Sequence, residues 1–152
     1  MNRRVAMVFA LFKLFHRAFT FPPVVLSEKD RLLTGDDFTV LKSIGIDGVI
    51  LWTPGHSKDS ISVLLSDGRA FVGDAAMNFP LFNVCGIRYR PIYQEERDAV
   101  FDSWSKLIRH GAKTFYPAHT TPFSAEQLLR SWPQYFLPGS TCGRRFGLFQ
   151  RH

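Results

Sequence analysis

Apolar residues recur along this chain at two periods. At the start, Val5, Val8, Phe9, Phe12, Phe15 and Phe19 fall on one stripe at helical spacing, and Leu11, Leu14 and Ala18 widen it. Lys13, His16 and Arg17 interrupt the apolar stretch. The pattern predicts an amphipathic helix over 3–19, within a first unit of residues 1–20. Phe21-Pro22-Pro23 ends it, because proline lacks the amide donor and restricts the residue before it. The period then shortens to that of strands. Val24-Val25-Leu26 and Phe38 to Leu41 are short strand candidates. Val49 to Trp52, Ser60 to Leu65 and Ala70 to Gly73 follow, with Asp67-Gly68 as the expected centre of a type I′ hairpin.

Residues 75–93 are irregular, a loop long enough to serve as a substrate cover; Met77, Phe79, Leu81 and Phe82 are its apolar members. Helical spacing returns from Gln94 to His110. There Val100, Trp104, Leu107 and Ile108 make the apolar stripe, Glu95 and Glu96 suit the positive end of the helix dipole, and Gly111 closes the helix. Lys113 to Tyr116 reads as a strand. Ser124 reads as the cap of a short helix over Ala125 to Ser131. The predicted class is α+β: one mixed, largely antiparallel sheet with flanking helices. The body runs over 21–132, followed by a basic tail, 133–152, expected to be poorly ordered.

Composition narrows this picture. The chain has 152 residues, 45% of them hydrophobic and 15 of them Phe, which fits one packed domain and excludes a disordered chain. Cys85 and Cys142 match no paired metal or redox spacing, and two reduced thiols in a cytoplasmic protein are expected. The net charge of +6 sits on the ends: Arg3, Arg4, Lys13, Arg17, Arg144, Arg145 and Arg151. Without those seven, 12 basic residues face 13 acidic ones. No specific nucleic-acid site is therefore expected. The first helix is too short and too charged to span a bilayer, and no small-x-small cleavage site follows it. A homodimer, or a partner chain covering that helix, is the expected use of its apolar stripe.

Candidate chemistry rests on three residues. His56 follows one strand in Thr53-Pro54-Gly55-His56, Asp74 ends another in Phe71-Val72-Gly73-Asp74, and His119 follows a third in Tyr116-Pro117-Ala118-His119. Imidazole and carboxylate on rigid strand ends are metal-ligand types. Thr53, Ser57, Asp59 and Ser60 are candidates to hold the His56 ring. No Gly-rich phosphate loop and no Gly-x-Ser-x-Gly elbow is present.

In order and spacing these segments, with Ser60-Ile61-Ser62, resemble the second half of the metallo-β-lactamase-fold hydrolases, from about Phe21 to Arg130. The resemblance implies part of an αββα sandwich and a zinc-dependent hydrolase acting on a small ester-like or phosphodiester-like substrate. It implies that His56 serves one metal, that Asp74 bridges two and that His119 serves the second. Convergence of all three on a single ion is the other arrangement. The family's His-x-His-x-Asp-His motif, which supplies most of its ligands, is absent from this sequence, and Thr120 stands where the family often has Gly. The reading is thus an incomplete catalytic domain; the alternative is a non-catalytic module that keeps part of the fold and pairs with another chain.

Overall fold

The computed structural model describes residues 23, 25–28, 30–79 and 88–136. The chain divides into two compact units, 1–32 and 33–152. The predicted helix at 3–19 and residues 137–152 of the predicted tail lie outside the described residues. In the first unit, the Ser27 amide donates to Asp30 Oδ2 at 2.7 Å and the Asp30 amide to the Ser27 carbonyl at 3.1 Å, closing a turn. Val25 and Leu26, expected in a strand with Val24, pair with no strand among the described residues.

The second unit opens with a short helix, α1, at Val40–Ser43, where a strand was expected from Phe38 to Leu41. Asp37 decides the difference. One of its carboxylate oxygens accepts from the amides of Thr39 at 2.8 Å and Val40 at 2.6 Å, which satisfies donors that a starting helix leaves open.

Three strands follow: β1 at Gly48–Trp52, β2 at Ile61–Leu65 and β3 at Arg69–Gly73. A long helix, α2, spans Arg97–Arg109. Then come β4 at Thr114–Pro117, β5 at Phe123–Ser124, α3 at Ala125–Ser131 and α4 at Pro133–Phe136. The sheet order is β1-β2-β3-β4-β5. β1, β2 and β3 are antiparallel in turn, β3 and β4 are parallel, and β4 and β5 are antiparallel. A parallel pair needs a crossover, and the segment containing α2 supplies it.

Period-two alternation gives the sheet two faces. Leu51, Leu64, Ala70, Val72 and Phe115 join Val100, Phe101, Trp104 and Leu107 of α2 in one buried core. The other face carries Ile50, Val63, Phe71 and Tyr116 in register across four strands. Phe71 and Tyr116 stack there at 5.1 Å. Phe71, with the cross-strand pair Trp52 and Ile61, remains exposed.

The β2–β3 turn is not type I′. Only Gly68 has positive φ (+94°), and its amide donates to the Leu65 carbonyl at 3.0 Å. The connection is therefore three residues long, with glycine in the left-handed position. α2 begins three residues later than predicted, because the amides of Glu95 and Glu96 donate to the carbonyls of His56 (3.2 Å) and Gly55 (3.1 Å). Asp98, not Glu95 or Glu96, is the acid of its first turn. α3 has the predicted cap: the Ser124 hydroxyl accepts from the Gln127 amide, and the Gln127 side chain accepts from the Ser124 amide.

Candidate functional site

The sheet order determines which of the predicted ligands meet. β1, β3 and β4 run in the same direction, so His56, Asp74 and His119 all follow strand ends on one rim. β3 and β4 are neighbours, whereas β2 stands between β1 and β3. That places the end of β1 two strand spacings, about 9.5 Å, from the end of β3.

Asp74 and His119 accordingly come together, with His119 Nε2 at 3.4 Å from Asp74 Oδ1. Two backbone features aim the carboxylate. The β3–β4 register shifts between Phe71 and Gly73, and Gly73 takes φ +55°. A bulge followed by a left-handed glycine turns the next side chain out of the strand. The Ala118 amide then donates to the Gly73 carbonyl at 3.0 Å, pinning the two strand ends together. Thr120 and Thr121 secure the same corner, accepting from the Asn78 amide (2.7 Å) and the Asn78 side-chain amide (3.0 Å).

Asp74 Oδ1 is shielded from solvent and, among the described residues, has no hydrogen-bond partner. A carboxylate oxygen in that state is poorly satisfied, since buried polar atoms are nearly always paired. A 3.4 Å separation is long for a charge-assisted hydrogen bond, which is about 2.7–2.9 Å. It matches the spacing of two donors on one tetrahedral ion: with metal–ligand bonds of about 2.0–2.2 Å, such donors stand about 3.4 Å apart. The pair therefore fits one edge of a zinc polyhedron. A catalytic zinc takes three protein ligands, and among the described residues no three His, Cys, Asp or Glu side chains group to hold a metal. These residues alone do not complete a zinc site.

His56 is held elsewhere on the rim. Its Nδ1 lies 2.9 Å from the Tyr93 carbonyl, and the two rings meet edge to face at 5.7 Å. A carbonyl only accepts, so Nδ1 is the donor, and in the neutral ring Nε2 keeps its lone pair. The residues expected to orient this ring bond elsewhere instead. Thr53 Oγ1 pairs with Ser62 Oγ at 2.8 Å in the core, and Ser57 Oγ with Ser60 Oγ at 2.7 Å. Asp59 is held below the usual carboxylate range chiefly by the Ser57 hydroxyl. The loop itself is wedged against α2, with Ser103 Oγ donating to the Pro54 carbonyl at 2.7 Å. Gly55 takes φ +136°, and a Cβ there would stand 2.5 Å from the Val100 amide nitrogen.

Tyr93, which sequence reasoning passed over, is the residue that orients His56. Its contribution is a main-chain oxygen, and main-chain atoms leave no signal in residue types. Arg90 and Gln94, also passed over, each bury a polar side-chain atom that has no partner among the described residues.

No family model and no curated protein matches the chain. Among solved structures it is similar to an archaeal metallo-beta-lactamase superfamily protein, ST1585 from Sulfolobus tokodaii. That likeness has 22% identity and a TM-score of 0.45, over 59% of this chain and 34% of that one. It is also similar to ETHE1 from Myxococcus xanthus, at 28% identity and a TM-score of 0.41, over 59% of this chain and 40% of that one. The chain thus spans well under half the length of either structure.

Proposed function

We propose that this chain carries part of a metal-dependent hydrolytic site, with Asp74 and His119 as two ligands of one ion and the remaining ligands supplied from outside the described residues. The 3.4 Å approach of His119 Nε2 to an Asp74 oxygen that lacks a hydrogen-bond partner among the described residues carries this reading. The strand-end motifs and their resemblance to metallo-β-lactamase-fold hydrolases support it. Zinc suits a mixed imidazole and carboxylate set; when bound, it polarises an ester or phosphodiester oxygen and makes hydroxide available near neutral pH. Asp74 holds one negative charge at the rim, and His119 offers a nitrogen beside it. His56 presents a free Nε2 on the same rim, preset by Tyr93, for hydrogen bonding to substrate or to an incoming ligand set. The substrate is proposed as a small ester-like or phosphodiester-like molecule.

Zinc titration of the full chain, followed by calorimetry and elemental analysis, tests this. Saturable binding that falls at least tenfold in both Asp74→Ala and His119→Ala is expected. Equal binding by wild type and both variants would remove the proposal.

A second reading, a non-catalytic module that pairs with another chain, draws on the exposed apolar residues Trp52, Ile61 and Phe71 of the open sheet face. Light scattering on the purified chain checks it: a monomer at all concentrations counts against self-pairing through that face.

A further inference from the structure

Away from the Asp74–His119 corner, an aromatic cluster packs where α2, α3 and α4 meet. Phe101 stacks on Tyr135 with ring centroids 3.6 Å apart, and Trp132 meets Phe101 edge to face at 5.3 Å. Two guanidinium groups lie over this cluster. The Arg90 guanidinium carbon is 5.9 Å from the centre of the Trp132 ring, and that of Arg97 is 5.9 Å from the centre of Phe101. Both distances fall within cation–π range. Two like charges are thus held over adjacent rings of one hydrophobic cluster.

Arg90 is poorly accommodated as the structure stands. Its Nε is shielded from solvent and, among the described residues, has no acceptor. Burial, and then the like charge of Arg97, depress its pKa, while Tyr135 acts in the opposite sense. Among the described residues, no carboxylate contributes to the electrostatics of Arg90. A buried donor without an acceptor is unfavourable, and a guanidinium presents a planar fork of donors that matches an oxyanion.

The backbone holds the pair in place. Tyr89 adopts φ +65°, a left-handed conformation unusual for a bulky residue. Its ring is nonetheless fixed in the core, stacked on Phe123 at 4.3 Å, and its main chain bridges to Met77. The Trp132 indole donates to the Arg88 carbonyl at 2.7 Å. Arg90 therefore follows directly on a segment anchored at Arg88 and Tyr89. Arg97 is the first residue of α2, whose first turn has no side-chain cap.

We propose that Arg90 and Arg97 form a binding site for a small oxyanion, a carboxylate or phosphate group clasped between the two guanidinium forks over Phe101 and Trp132. This site does not depend on a metal at Asp74, so the two proposals fail separately.

The test is titration of the full chain with inorganic phosphate and, in a parallel arm, with acetate. Ionic strength is held constant with sodium chloride, and the Arg Nε–H resonances are followed by NMR. Saturable shifts of the Arg90 Nε–H in either arm are expected, and the arm that saturates at lower concentration identifies the oxyanion. Arg97→Gln, at an exposed position that threatens the fold little, should weaken binding at least tenfold, as should Arg90→Gln. Arg130→Gln, which removes a charge already paired with Glu126 on α3, should leave binding unchanged. Shifts that stay linear in both arms, or equal affinity in wild type and Arg97→Gln, would overturn the proposal.

Discussion

The indole of Trp104 donates to the Ala75 carbonyl at 3.0 Å, tying the centre of α2 to the residue directly after Asp74. Trp104 is fully buried, so this bond is made in the core. Trp104→Phe keeps an aromatic ring in place and leaves the Ala75 carbonyl without its donor. A buried acceptor stripped of its partner costs about 1–3 kcal/mol. Urea denaturation should show a loss in that range. A midpoint equal to wild type would mean that water replaces the indole.

The Gly55 loop offers a sharper contrast. A methyl group at Gly55 meets Val100 backbone atoms at 2.5 and 2.8 Å, where no side chain can yield. Gly45 also has positive φ (+80°), but nothing lies within 4 Å of its added Cβ. Gly45→Ala should therefore cost only the left-handed backbone term, about 1–2 kcal/mol. Gly55→Ala adds a clash with α2 and should lower stability by about 4 kcal/mol or more. Equal thermal midpoints for the two variants would contradict this account.

Lys106 ties the end of β1 to the segment before α1. Its Nζ donates to Asp36 Oδ1 at 2.6 Å and to the Trp52 carbonyl at 2.9 Å, while Asp36 Oδ1 accepts from the Trp52 amide at 2.8 Å. Both side chains are about a quarter exposed, which moderates the charge interaction. A double-mutant cycle with Lys106→Met and Asp36→Asn should give a coupling of about 1 kcal/mol, smaller at high salt. Strict additivity would show that the two groups act independently.

The two sheet faces should respond differently to truncation. Leu64 is buried in the core, whereas Ile61, three residues earlier on the same strand, is 45% exposed. Leu64→Ala should cost about 2–5 kcal/mol. Ile61→Ser should stay within about 1 kcal/mol. A large loss at Ile61 in the monomer would mean that another group covers that face.

Asp67 supplies a pH dependence of known sign. The Arg69 amide, then the Arg69 side chain, stabilise its carboxylate and lower its pKa below 3.8. A carboxyl depressed in the folded state adds stability above its ordinary pKa, and that stability is lost as pH falls through the folded value. Acid titration of wild type against Asp67→Asn should show the difference closing below about pH 4. A difference that persists unchanged to lower pH would exclude the carboxylate as its source.

Local patterns were legible where one residue type had one physical use. Ser124 and Gln127 cap α3 as their spacing predicts, and Gly73 turns the chain so that Asp74 leaves β3. Patterns were misread where a neighbour competed. Phe38 to Leu41 alternates like a strand, yet the Asp37 carboxylate starts a helix there. Asp67-Gly68 looks like a two-residue hairpin turn, yet only Gly68 takes the left-handed conformation.

Short-range periodicity and turn chemistry sufficed to order β1 to β4, α2 and α3 and to put His56, Asp74 and His119 at strand ends. Tertiary structure decided which of them meet. Asp74 and His119 touch because β3 and β4 pair in parallel, and His56 lies apart because β2 stands between β1 and β3. Its ring orientation comes from the Tyr93 carbonyl, and the placing of Arg90 and Arg97 over neighbouring rings comes from the aromatic cluster. Both depend on contacts between segments distant in sequence or on main-chain atoms common to all residues, so neither leaves a pattern along the chain.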